Sequence, residues 1–186
     1  SHRGTVLLAT TTHIMRPNWC PFAATAAELR AGFTHSPVVC AGSYTPEGKL
    51  TAPDFPGWQY AADFVLVEAD GSKRLPAKAH AAWEPVLPPE RNRTVCVFGA
   101  SALGQPIQDA AHRPELYASL AEVSPEAVIT PAIAARVLAK EGNFDILFIN
   151  QADVLEDPVA ALQPLVYTLP CPVIYGALAE GYWAKL

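Results

Sequence analysis

Residues 63–70 read DFVLVEAD: five apolar or acidic strand positions with no break, bounded by turn residues and ending on Glu68 and Asp70. Three further runs have the same form, TVLLATT at 5–11, TVCVFGA at 94–100 and DILFIN at 145–150. Two weaker ones are PVVCAG at 37–42 and CPVIYG at 171–176. Each is short and nearly continuous in apolar residues rather than alternating. That pattern predicts strands buried on both faces of a parallel sheet. Helical segments lie between the runs. PFAATAAELRAG (21–32), RPELYASLAEV (113–123), TPAIAARVLAKEG (130–142) and DPVAALQPLV (157–166) each carry a proline near the start. Thr130 is placed to cap its helix and Gly142 to stop it, while Pro164 is expected to end or kink the last one. Strands alternating with helices predict an α/β fold, three layers deep, around a mostly parallel sheet. Residues 43–57 read as a hairpin near Glu47-Gly48. Residues 71–93 are proline-rich, basic and aperiodic, which marks either a working loop or a linker. No domain boundary is visible, so residues 1–186 read as a single domain.

The whole composition agrees with such a domain. The chain has 186 residues, 51% hydrophobic and 17% charged, with a formal net charge of −5. An acidic balance argues against nucleic acid and against a polybasic membrane anchor. The apolar runs are far shorter than the ~20 residues a spanning helix needs. Four cysteines without a C-x-x-C pair predict reduced thiols, no structural metal and a cytoplasmic location. Gly 11 and Pro 18 shift the turn chemistry towards proline, with no collagen period.

In open α/β sheets, ligands bind beyond the carboxyl ends of the strands. FVLVEADG has the form of a Walker B strand, which delivers a carboxylate to magnesium. Asp70 is the candidate ligand, with Glu68 as second catalytic carboxylate and Gly71 allowing close approach of a phosphate. A buried strand can also end in an acidic turn for structural reasons alone. ILFINQAD resembles the N-K-x-D element of guanine nucleotide-binding proteins. Asp153 would accept from the N1 and N2 donors of guanine, and Asn150 would brace the site or meet the base. Gln151 stands where lysine is usual. An Asn-x-x-Asp can equally cap a helix. After CPVIY comes Gly176-Ala177-Leu178, where such proteins place a backbone contact to the base. Thr10, Thr11 and Thr12 could meet magnesium or a phosphate, or serve strand propensity alone. Lys73, Arg74 and Lys78 form a positive patch suited to an anionic ligand or a solvated loop. His13, His80 and His112 have no metal-ligand spacing. No G-x-x-x-x-G-K-[ST] occurs, so the chain starts on what would be the second strand of a phosphate-loop domain.

Taken in order, VLLATTTHI, FVLVEADGSKRLPAKAHAAWEPVLPP, ALGQPI with HRPEL, ITPAIAARVL and ILFINQAD resemble the YqeC family, named as selenium-dependent hydroxylase accessory protein. The resemblance runs from about Thr5 to Asp153, more weakly beyond, and is most specific from Glu68 to Pro88. It implies a P-loop NTPase-like domain, here without its N-terminal strand–P-loop–helix unit, and a role in maturing selenium-dependent molybdenum hydroxylases. On that basis magnesium with GTP or ATP is the expected cofactor pair. Lys73, Asn150, Asp153, Ala177 and the three threonines would hold the nucleotide. Residues 71–93, with Lys78, His80, Glu84, His112 and Arg113, would meet a hydroxylase or another maturation factor. Hydrolysis would be slow without a partner. Two other readings stay open: a non-catalytic module holding an anionic cofactor or client through the basic loop, and a hydrolase or transferase with Asp70 or His80 as general base.

Overall fold

The computed structural model describes residues 4–186, which divide into two compact units: residues up to 71 with 84–90, and 72–83 with 91–186. The fold is mixed α/β, and within each four-stranded sheet the pairings are mostly parallel.

The first unit contains β1 (Val6–Thr10), β2 (Phe22–Ala23), α1 (Ala26–Phe33), β3 (Val38–Ala41), β4 (Ser43–Tyr44), β5 (Leu50–Thr51) and β6 (Phe64–Glu68). Its main sheet runs β2-β3-β1-β6, all parallel. One face carries Leu7, Ala9, Val65 and Val67, packed with Leu29 of α1, Val39 and Trp58. Thr25 and Glu28 close a reciprocal cap on α1, each side chain taking a backbone N–H of the other's residue. β4 and β5 form the expected hairpin, and Gly48 sits at φ 78° in its turn.

The second unit contains β7 (Ala77–Lys78), β8 (Val95–Gly99), α2 (Ile107–Ala110), β9 (Ala111–His112), α3 (Pro114–Ala121), α4 (Pro131–Glu141), β10 (Ile146–Asn150), α5 (Pro158–Thr168), β11 (Val173–Ala177) and β12 (Tyr182–Lys185). Its sheet runs β12-β11-β10-β8, parallel except for the β11–β12 hairpin. Phe98, Leu147, Ile149 and Val173 pack with Tyr117, Val137, Leu138, Leu162 and Leu165 from the helices. Thr130 caps α4 by accepting from the N–H of Ile133, and Gly142 ends it at φ 58°. Proline at 164 does not end α5, which continues to Thr168. Burial of Leu162 and Leu165 on either side of it holds the helix.

Two expectations need correction. The runs at 63–70 and 94–100 are not buried on both faces: Phe64 is 61% exposed, Leu66 57%, Val95 51% and Val97 63%. The cause is position. β6 and β8 are the last strands of their sheets, and among the described residues nothing covers the outer side of these four side chains. The loop at 71–93 is also less irregular than its sequence. It contributes β7, which pairs in parallel with β9.

Candidate functional site

In the first unit the ends of β1 and β6 lie side by side, with Thr10 opposite Glu68. Thr10 is completely buried, and its Oγ1 lies 2.9 Å from the carbonyl of Glu68 and 2.8 Å from Glu68 Oε2. The turn after β1 is closed by the Thr12 N–H, which donates to Thr10 Oγ1 over 3.0 Å. That turn brings the Thr12 hydroxyl onto Glu68 Oε2 at 2.5 Å. Two hydroxyls therefore fix one carboxylate oxygen, a charge-assisted arrangement stronger than neutral bonds. The Thr11 N–H donates to the Glu68 carbonyl at 3.0 Å, and its hydroxyl donates to the carbonyl of Val86. The Val86 N–H returns a bond to the carbonyl of Ala69 at 3.0 Å. This pins the segment 84–90, which includes Glu84, beside the end of β6. Asp70 follows, half-buried, and a Cβ at Gly71 would meet Glu68 Oε1 at 4.0 Å, an ordinary contact. The structure thus brings Thr10, Thr11, Thr12 and Glu68 together. The tie to Val86 has no signature in the sequence.

In the second unit the end of β10 is built as a latch. Asn150 is half-buried, and its Oδ1 accepts the N–H of Leu178 at 3.1 Å. That bond ties β10 to the turn after β11, where Ala177 is buried. Gln151 takes the left-handed conformation at φ 61°, uncommon for a residue with a Cβ. Asp153 is exposed in the short 3-10 turn Ala152–Val154. Gln151 Oε1 accepts the Ser101 hydroxyl at 2.7 Å. Ser101 was not legible as a site residue, because it comes from a different strand end, fifty residues away.

The basic residues divide between several local structures. Lys73 and Arg74 occupy consecutive left-handed positions, at φ 54° and 66°, in a turn closed by the Leu75 N–H on the Ser72 carbonyl. Such turns normally use Asn or Gly at these places. Lys78 lies in register with His112. Arg113, at φ 64°, stands over the exposed Trp83 ring, 5.5 Å from its centroid. His80 is held by Glu141. Its Nδ1 and its N–H bind the two oxygens of Glu141 at 2.7 Å each. Glu141, a half-buried partner at the end of α4, gave no sequence signal. No group of three or more potential metal ligands occurs among the described residues, nor a helix long and apolar enough to cross a membrane. Burial pushes the Cys40 thiol up to about 11, with Cys20 adding to the effect, and raises the Tyr117 phenol, with Glu141 adding to it.

No solved structure is a significant match to this chain. A YqeC protein family model matches residues 1–115, which hold the threonine–Glu68 cluster and the basic segment through Arg113. The YqeC protein of Escherichia coli (strain K12) is 30% identical over 183 residues, covering 86% of this chain and 72% of that relative. A model that takes in more than half of the chain, together with a relative similar along most of its length, shows that the chain belongs to the YqeC family.

Proposed function

We propose that the chain is a nucleotide-binding accessory protein, favouring GTP over ATP, that acts in the maturation of selenium-dependent molybdenum hydroxylases. One observation carries the nucleotide reading: the latch between Asn150 and Leu178, with Asp153 exposed in the next turn. Because the Asn150 oxygen is spent on a backbone N–H, its amide nitrogen is left to donate. Asp153 offers only acceptors. Guanine presents two adjacent N–H donors to such a carboxylate, whereas adenine presents an acceptor at N1. The maturation role rests on the family resemblance alone.

The residues at the end of β6 suit the magnesium part of this reading. Magnesium on a nucleotide takes one or two protein carboxylates and fills its other positions with phosphate and water. Asp70 is the ligand we assign, and Thr10 and Thr12 hold Glu68 in a fixed orientation beside it in sequence. Bound magnesium would supply charge neutralisation at the phosphates. The open edges of β6 and β8, with apolar side chains on show, support a P-loop NTPase-like fold with a further strand–loop–helix unit. Residues 71–93 would change conformation with the nucleotide and act on the client enzyme.

Calorimetric titration with GTP and ATP in magnesium tests this. We expect GTP to bind more tightly, and Asp153→Ala to weaken GTP roughly 10- to 100-fold, the loss of one or two charged hydrogen bonds. Failure of both nucleotides to bind refutes it.

A second reading has its own observation, the pairing of Lys78 with His112 and of Arg113 with exposed Trp83. Here the basic segment binds an anionic cofactor or a client without catalysis. Loss of binding in Lys73→Ala/Lys78→Ala, with full retention in Asp153→Ala, would favour it.

A further inference from the structure

We infer that Gln151 is a specificity residue, whose amide N–H2 meets the ring of the bound nucleotide beside the carboxylate of Asp153. The inference rests on the guanine-nucleotide reading and adds a residue and a selectivity to it.

Three features converge on this one side chain. Its backbone is held at φ 61°, a conformation that costs an L residue energy and that glycine or asparagine would adopt more readily. Its carbonyl oxygen Oε1 is fixed by the Ser101 hydroxyl at 2.7 Å. Its path runs directly over Gly99, where a Cβ would come within 2.6 Å of Oε1. A glutamine on the surface normally keeps its rotamer freedom. This one has given it up to strand end, serine and glycine together, although the residue remains exposed. The arrangement also determines which end of the amide is on offer. Since Oε1 accepts from Ser101, the nitrogen end is a donor. Asn150 follows the same rule, because its own oxygen is taken by Leu178. The end of β10 therefore carries two oriented amide donors and, in the next turn, one carboxylate acceptor. A ring that pairs a carbonyl oxygen with adjacent N–H groups, a 6-oxopurine, matches that set. A 6-aminopurine offers that carboxylate only its amino group, with the N1 acceptor beside it.

The experiment measures binding of GDP, IDP and ADP to the full chain and to Gln151→Leu, Gln151→Glu and Ser101→Ala. Circular dichroism checks that each variant is folded. Gln151→Leu keeps the stem and removes the amide. Gln151→Glu keeps an acceptor for Ser101 but replaces the donor by an acceptor. We expect Gln151→Leu to weaken GDP and IDP about 10-fold, Gln151→Glu to weaken them more, and Ser101→Ala to weaken them about 3-fold. ADP should change by less than 2-fold in all three, so that the ratio of GDP to ADP affinity falls. A merely structural role would lower all ligands equally. GDP binding within 2-fold of the parent in both Gln151 variants overturns the inference and leaves the nucleotide reading standing. Absence of binding by the parent chain overturns both.

Discussion

Replacing Gly99 by alanine tests the geometry at the end of β8. The added Cβ would lie 2.6 Å from Pro76 Cβ, 3.0 Å from Pro76 Cα and 2.6 Å from Gln151 Oε1. Ordinary carbon contacts begin near 3.5 Å, so the strand end and Pro76 must separate by roughly 1 Å. The glutamine oxygen, at the far end of its side chain, can move at the cost of its bond from Ser101. Pro76 cannot, because the contact is to its ring and backbone, and its carbonyl accepts the Gly99 N–H at 2.8 Å. Opening the gap loses that bond, about 1 kcal/mol net. Overpacking adds about 1–3 kcal/mol. Against this, alanine restricts the unfolded chain and returns about 0.4–1 kcal/mol. The balance is about 2 kcal/mol of destabilisation. With a urea m-value of about 2 kcal/mol/M, the midpoint should fall by about 1 M. Urea titration followed by far-UV circular dichroism reads this directly. Adding Gln151→Ala to the Gly99→Ala chain should recover little of the loss, since proline and not glutamine is the rigid neighbour. A stability within 0.5 kcal/mol of the parent refutes the reasoning, as does a full recovery in the double variant.

Thr10→Val removes a buried hydroxyl that serves both Glu68 and the Thr12 N–H, and should cost about 1–2 kcal/mol in the same titration. Tyr117→Phe should leave stability unchanged or raise it by up to about 1 kcal/mol, because Tyr117 Oη is buried without a hydrogen-bond partner among the described residues. The raised Cys40 thiol sets a pH dependence. The folded chain keeps a proton that the unfolded chain releases near 9, so stability should be flat below that pH and fall as pH climbs towards about 11. Urea midpoints across this range should show a shallower fall in Cys40→Ala.

The strands were legible because each is a short apolar run bounded by turn residues, a signal that lies wholly within the run. Val6–Thr10, Phe64–Glu68, Val95–Gly99 and Ile146–Asn150 all fall inside the four strong ones. The ends of α4 were legible for the same reason, since Thr130 and Gly142 act on their own neighbours. Exposure was not legible. Whether Leu66 or Val97 is covered depends on which strand lies beside it, and nothing in either run records that. Within the candidate site the same division holds. Glu68, Asn150 and Asp153 stand at strand ends and were found by position. Thr12, which meets Glu68, Leu178, which meets Asn150, and Ser101, which meets Gln151, belong to other segments. Thr12 was singled out only as one of a threonine trio, and Ser101 and Glu141 had no local mark at all. Pro164 does not end its helix because the burial of Leu162 and Leu165 outweighs the one backbone bond it lacks.

The outer edge of β6 also bears on handling the protein. An edge strand with apolar side chains on show is a template for pairing with another chain. Phe64, Val65, Leu66 and Val67 include no lysine and no proline to prevent this. Purified at high concentration, the chain should self-associate through this edge, with light scattering rising steeply with concentration. Leu66→Lys should suppress it without touching the core.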